Sequence, residues 1–255
     1  MKYIGIIPAR YKSSRFQGKA LFIIEGKTMI QRVYEQAKKS SALSELYVAT
    51  DDSSIEKHVK NFGGNVVMTS ENHLCGTDRC HEAFHIINAG KKYSSDDIII
   101  NIQGDEPCIN PEQIGLVASC FKNKEVNIAT LVRKMDHLDE LMNPNIIKVV
   151  CDKNKRAMYF SRCPIPYFRE LDQAQWIKKH TYLQHIGIYA YKASALDKIH
   201  NLQQSPLEKT ESLEQLRWLE NGHIIHVEFT GHPSHSVDVP DDVGKIIKLL
   251  KKTNT

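Results

Sequence analysis

The stretch YIGIIPARYKSSRFQGKAL, residues 3–21, decides the fold class. Its opening YIGII is an apolar run of strand length that stops at Pro8. A polar loop follows at once, holding Arg10, Lys12, Arg15 and Lys19 with Ser13, Ser14 and Gly18. A buried strand that empties into such a loop is the opening unit of an α/β sheet, where ligands bind beyond the carboxyl ends of the strands. Four cations there suit a polyanion, and serine hydroxyls with a glycine that permits close backbone approach fit a triphosphate cradle. The loop is neither a GxxxxGKS/T phosphate loop nor GxGxxG. On composition alone, a solvated basic loop is the competing reading.

Outward from this unit, the first half alternates β-branched runs with helical patterns. ELYVAT (45–50), NVVM (65–68) and DIIINIQ (97–103) read as strands. Residues 28–40, residues 53–64 and the segment after Thr77 read as the helices between them, the second stopping at Gly63-Gly64. The middle changes character. NIATLVRK, IIKVVCD, AMYFSRCPIPY and HIGIYAYK are four strand-like runs with little helix between them, which predicts antiparallel additions or a protruding segment over about 126–192. Residues 205–222 read as one helix stopped by Gly222, followed by strand IIHVEF and helix DDVGKIIKLLKK. The reading is a single domain over 1–255 built on a mostly parallel sheet.

The 41% hydrophobic and 25% charged composition is that of an ordinary globule, and the net charge of +4 is spread without a basic stripe. Nucleic acid is therefore not the expected partner. No apolar run approaches the roughly 20 residues of a membrane span, and the amino-terminal run is too short for a signal peptide, so the expectation is a cytoplasmic protein without a membrane partner. Six cysteines without a CxxC pair read as reduced, small apolar residues.

Two acids sharpen the phosphate reading. NIQGDEP (101–107) ends a buried strand, so Asp105 lies at the same sheet edge as the first loop, and HSVDVPDD (235–242) supplies Asp238 before the last helix. Two carboxylates converging on a basic loop could hold Mg²⁺, which takes one or two carboxylates plus phosphate oxygens. Taken singly, each acid is better explained by a turn or a helix cap, with Asp241 or Asp242 placed as an N-cap.

A competing motif lies at His81-Glu82-Ala83-Phe84-His85, a formal HExxH match that would make the chain a zinc hydrolase. The longer zinc form fails at Asn88, and Ala83, Phe84 and Ile87 predict a helix that buries one face while His81, Glu82 and His85 take its polar side. His81 and His85, one turn apart, are spaced for incidental Zn²⁺ or Ni²⁺ binding. Cys75, Cys80, His81 and His85 would suit a structural zinc by residue type, but no second closely spaced pair supports them.

Taken together, IIPARYKSSRFQGKAL, MIQRVYEQA, VATDD, GGNVVMTSENHLCGTDR, INIQGDEPCI, NPNIIKVV, YFSRCPIPY, HIGIYAY, SPLEKTESLEQLRWLENG and VDVPDD resemble the CMP-Kdo synthetases, the 3-deoxy-manno-octulosonate (Kdo) cytidylyltransferases. The motifs run in family order over nearly the whole chain. The resemblance implies a Rossmann-like nucleotidyltransferase fold, with helices on both sheet faces and a smaller antiparallel dimerisation subdomain, in a cytoplasmic homodimer. It implies CTP and Kdo as substrates, CMP-Kdo and pyrophosphate as products, and a role in lipopolysaccharide biosynthesis; a related acidic sugar of the amino-Kdo type is the alternative acceptor. By the same likeness Arg10, Ser13, Ser14, Arg15 and Lys19 would bind the triphosphate. Asp105 and Asp238 would ligate Mg²⁺ and act catalytically with Arg10, Arg15 and Lys19. Cys75, Gly76, Thr77, Asp78 and Arg79 would lie against the nucleotide. Gln103, Arg162, His185, Tyr189, Glu214 and Gln215 would line the sugar pocket, where the planar fork of Arg162 suits a carboxylate. Tyr189 also reads as core, and Glu214 and Gln215 point about 100° apart on a helix. The chain departs from the family at Gln17 and Ala20, where prolines are common, and at Cys75, commonly serine.

Overall fold

Period-two burial in strand β1 (Tyr3–Ala9) puts Ile4 and Ile6 on one side of a sheet and Ile7 and Ala9 on the other. The computed structural model describes residues 1–12, 16–73, 75–90 and 92–253. β1 stands parallel between β4 (Glu45–Thr50) and β6 (Ile98–Asn101), and β5 (Val66–Met68) continues the parallel set beyond β4. β10 (Leu183–Lys192) runs antiparallel to β6 and to β7 (Ile128–Lys134), and β11 (Ile225–Phe229) lies parallel to β7 at the far edge. The order is β11-β7-β10-β6-β1-β4-β5, so β10 alone is reversed along this path. A short ribbon, β2 (Ile23–Ile24) with β3 (Lys27–Thr28), leads out of the first loop.

Apolar helix faces cover both sides. On one side α1 (Met29–Lys38), α2 (Ser53–Asn61) and α4 (Pro111–Ser119) bury Ile30, Val33, Ile55, Val59, Ile114 and Val117 against the sheet. On the other, α3 (Gly76–Ile87), α7 (Ala193–His200) and α9 (Gln215–Glu220) bury Cys80, Phe84, Leu196, Ile199, Leu216 and Trp218. α10 (Val243–Thr253) seats Val243 and Ile246 on Phe16, Ile24 and Met29, which ties the end of the chain to its first loop. The small helices α5 (Leu138–Met142) and α6 (Trp176–Lys179) share a separate cluster of Met135, Leu141, Trp176 and Tyr182.

Of the two readings of the strand-rich middle, the structure favours antiparallel additions to the sheet over one protruding segment. β7 and β10 are integral strands of the sheet, because β7 is buried along its first five residues and has neighbours on both edges. Only the hairpin β8 (Lys148–Cys151) and β9 (Ala157–Ser161) stands off the main path, pairing through β8 to Leu183 and Gln184 of β10. The helix read over 205–222 is two: α8 (Pro206–Glu211), opened by a Ser205–Glu208 capping box, and α9. Ser212 separates them in the left-handed region at φ 52°, which turns Glu214 toward the head of α3. Among the described residues no helix is long and apolar enough to cross a membrane.

Candidate active site

β1 and β6 end side by side, with Ile6 opposite Asn101, so the loops after Ala9 and Asn101 leave the same sheet edge. Gly104 lets the second loop lie against the first: a Cβ there would meet the Pro8 carbonyl oxygen at 2.6 Å. Val237 N–H donates to the Asp105 carbonyl (2.9 Å), drawing the segment of Asp238 to the same edge. Gly18, at φ +69°, donates its N–H to the Tyr11 carbonyl (3.0 Å) and folds the first loop back, presenting Lys19. The Lys19 ammonium then donates to Asp105 Oδ2 (2.7 Å) and the Val237 carbonyl (2.9 Å).

These segments enclose a cavity of about 230 Å³ walled by Arg10, Lys19, Asp105 and Asp238, with Gly76 and Arg79 at the head of α3. A second cavity of about 750 Å³ lies on the strand-rich side and shares Gln103, Asp105 and Asp238 with the first. The acid pair therefore stands at the junction of the two spaces. Both carboxylates are hard oxygen donors from segments held together by backbone, a donor set that fits Mg²⁺.

Of the residues expected to meet nucleotide, Arg10, Lys19, Cys75, Gly76 and Arg79 line the first cavity, whereas Ser13, Ser14 and Arg15 lie outside the described residues. The GTDR run is the first turn of α3. Cys75 is its N-cap, its sulfur accepting from Asp78 N–H (3.4 Å) and donating to Glu214 Oε1 (3.3 Å). Arg79 reaches the cavity wall but is buried and held by Asp51 (3.0 Å), Thr69 Oγ1 (2.6 Å) and the Ser70 carbonyl, so it braces the wall. Thr77 and Asp78 do not line the cavity, Thr77 donating to Glu214 Oε2 (3.0 Å) and Asp78 pairing with His200 (2.9 Å).

Of the expected sugar residues, Gln103 and His185 line the second cavity. Gln103 donates to the Gly187 carbonyl (2.9 Å). Burial pushes the His185 imidazole down to about 3, so it is neutral at ordinary pH and offers a hydrogen bond, not a charge. The other four are committed elsewhere in this structure. Arg162 donates to the carbonyls of Glu211 (2.7 Å), Pro144 (3.0 Å) and Ser212 (3.4 Å), outside both cavity walls. Glu214, whose pKa burial raises, is taken up by Cys75 and Thr77, and Gln215 is buried beside it. Tyr189 stacks on Tyr191 in the core, with Trp218 edge-on to both.

The sequence gives no nucleotide or sugar role to His73, which lines the first cavity, or to Arg133, Glu106 and Ser234, which line the second. Burial raises the Glu106 carboxyl to about 7, with the Asp105 charge adding to the rise and a hydrogen bond from Ser234 opposing it. The hydrolase reading of HEAFH fails on geometry: Glu82 accepts from Ser70 N–H (2.7 Å) and pairs with His73, while His81 and His85 both meet Asp197. Cys80 is fully buried in the core, so it cannot join a zinc site with those histidines.

A mostly parallel sheet that carries a basic loop and two acids at its carboxyl edge is an architecture suited to nucleotidyl transfer, and the family match places the chain among the nucleotidyltransferases. The fold is shared with 4-diphosphocytidyl-2C-methyl-D-erythritol synthase, at a TM-score of 0.64 and 13% identity over 98% of this chain and 100% of that one. The cytidylyltransferase family model matches residues 4–227, and the chain belongs to that family, among the 3-deoxy-manno-octulosonate cytidylyltransferases. It is 52% identical to the 3-deoxy-manno-octulosonate cytidylyltransferase of Parabacteroides distasonis over 98% of both chains. It is 48% identical to that of Fusobacterium nucleatum, over 100% of this chain and 99% of the relative. A solved CMP:2-keto-3-deoxy-manno-octonic acid synthetase complexed with CTP superposes at a TM-score of 0.88, with 38% identity over 99% of this chain and 100% of that one.

Proposed function

We propose that this chain transfers CMP from CTP to the anomeric hydroxyl of Kdo, releasing pyrophosphate and giving CMP-Kdo for lipopolysaccharide biosynthesis. The observation that carries the reading is the acid pair Asp105 and Asp238 at the junction of two cavities, one bearing Arg10 and Lys19 and the other Gln103 and His185. A donor of phosphoryl groups and an acceptor sugar placed on either side would meet at that junction. The names of the relatives supply the identity of both substrates.

In the reaction the sugar oxygen bonds to the α-phosphorus as the bond to pyrophosphate breaks, with net loss of the hydroxyl proton. Two anions must approach each other, so catalysis is chiefly positioning and charge neutralisation. Lys19 and Arg10 oppose the charge of the leaving pyrophosphate. Gln103, fixed by the Gly187 carbonyl, and neutral His185 orient the acceptor through hydrogen bonds. Asp105 and Asp238 would hold Mg²⁺, which when bound supplies Lewis-acid stabilisation of phosphate oxygens.

The proposal includes a cytoplasmic homodimer, and the exposed Met158 on β9 and Tyr167 beyond it support a second copy meeting this side of the chain. The test is pyrophosphate release with Mg²⁺ and Kdo, comparing CTP with UTP, ATP and GTP and Asp105→Ala with the unaltered chain. Release with CTP that the substitution abolishes is expected. No release with Kdo and CTP would overturn the choice of acceptor, and an amino-substituted Kdo would be tried next.

A further inference from the structure

On the outer face of α3 and α7, away from both cavities, three metal-ligating atoms converge. His81 Nε2 lies 2.9 Å from Asp197 Oδ1, His85 Nε2 lies 2.8 Å from the same oxygen, and the two ring nitrogens are 3.0 Å apart. With Asp197 ionised, no placement of protons on the two imidazoles fills all three contacts with hydrogen bonds. If both nitrogens carry protons and donate to Asp197, two donors face each other at contact distance. If one is bare, its lone pair faces the carboxylate oxygen with no proton between them. A cation bound by all three lone pairs removes both conflicts.

We propose that His81, His85 and Asp197 form a divalent transition-metal site, with zinc the best fit, that clamps α3 to α7. Two imidazoles and one carboxylate are a zinc donor set and a poor one for Mg²⁺, which prefers all-oxygen ligands. Ligands at zinc-bond distance across a tetrahedral angle stand about 3.3 Å apart. The separations of 2.8–3.0 Å here need only a small outward shift on binding.

The site is also braced. His81 stacks on His200 with ring centroids 4.0 Å apart and planes at 14°, and His200 is held in turn by Asp78 at 2.9 Å. A ring fixed on its far side presents its nitrogen at low entropic cost. The side chains of His85 and Asp197 are about half exposed, at 52% and 47%, so water would complete the coordination. Neither described cavity includes this cluster, and Glu82 points elsewhere, so the site suits a structural clamp and not hydrolysis. The clamp bears on the helix whose first turn walls the nucleotide cavity.

The test is titration of Zn²⁺ into chelator-treated full-length protein without a polyhistidine tag, followed by competition against a chromogenic chelator and by thermal melting. One zinc per chain is expected, with Tm raised by about 5 °C at 100-fold excess over Kd. Asp197→Asn and His85→Ala should each weaken binding at least about tenfold, and excess Mg²⁺ should not displace the zinc. Both positions are half exposed, so circular dichroism is expected to be unchanged. Absence of stoichiometric binding would overturn the proposal. So would an Asp197→Asn variant that binds as tightly as the unaltered chain, because it would leave only an incidental two-imidazole chelate. Neither outcome bears on the cytidylyl transfer.

Discussion

The Lys19 ammonium and the Asp105 carboxylate form an ion pair of 2.7 Å at the meeting point of two loops whose residues are far apart in sequence. The pair is mostly shielded from solvent, and the same ammonium also holds the Val237 carbonyl. In the protein without substrates, the cation that would face phosphate therefore occupies an oxygen that would face magnesium.

This arrangement predicts opposite effects of one substitution on two measurements. Lys19→Met removes a charge from the phosphate wall and should lower kcat by about 10²- to 10³-fold, the usual loss for one preorganised electrostatic contact. The same change frees Asp105, so Mn²⁺ titrated into the nucleotide-free protein should bind about fivefold more tightly, a gain of about 1 kcal/mol. If metal binding weakens along with kcat, the lysine is organising the acid pair instead of competing with the metal.

Gly104 predicts a steric outcome. An added Cβ would stand 2.6 Å from the Pro8 backbone oxygen, which cannot swing aside as a flexible side chain could. Gly104→Ala should therefore displace the Asp105 loop, cost about 1–3 kcal/mol of stability and sharply reduce turnover. Chemical denaturation checks the first effect and pyrophosphate release the second. Full stability with full activity would show that the two loops separate without penalty.

The parts of this architecture that were legible in the sequence are those written locally. YIGII followed by a basic loop, the GDEP turn and the VDVPDD segment each state a strand end and a charge, and all three meet at one sheet edge. What stayed hidden depends on tertiary contact. Nothing near Glu214 announces that its carboxylate accepts from Cys75 and Thr77, more than 130 positions away. Arg133 and Ser234 wall one cavity from two distant segments, and no spacing rule links them. The start of α4 is also written locally: Asn110-Pro111 with Gln113 is a capping-box start, and the structure contains that box.

Cys75 predicts a gain from the residue more usual in its place. A serine oxygen is a stronger acceptor for Asp78 N–H and a stronger donor to Glu214 than the thiol, whose contacts are 3.4 and 3.3 Å. Cys75→Ser should raise Tm by about 2 °C. Cys75→Ala, which removes both contacts and leaves Glu214 held by Thr77, should instead lower stability by about 1–2 kcal/mol. A fall in Tm with serine would mean that the bulk of the sulfur outweighs its poor hydrogen bonding.

Glu106 predicts how stability changes with pH. Its carboxyl is fully buried and titrates at about 7 in the folded chain, against an ordinary 4.5. The sign follows from proton counting: between those values the folded state holds a proton that the unfolded state has lost, so raising the pH favours unfolding. Below 4.5 the group costs nothing by this route, and above 7 the cost is complete at about 3 kcal/mol. Glu106→Gln keeps the shape and cannot ionise. Its Tm should therefore match the unaltered chain near pH 4 and exceed it by about 6 °C near pH 8, the difference opening between these limits. Melting curves across this range read the effect directly. A difference that does not vary with pH would mean that Glu106 stays protonated throughout or is compensated by a cation when it ionises, and either result would remove it as a titrating wall of the second cavity.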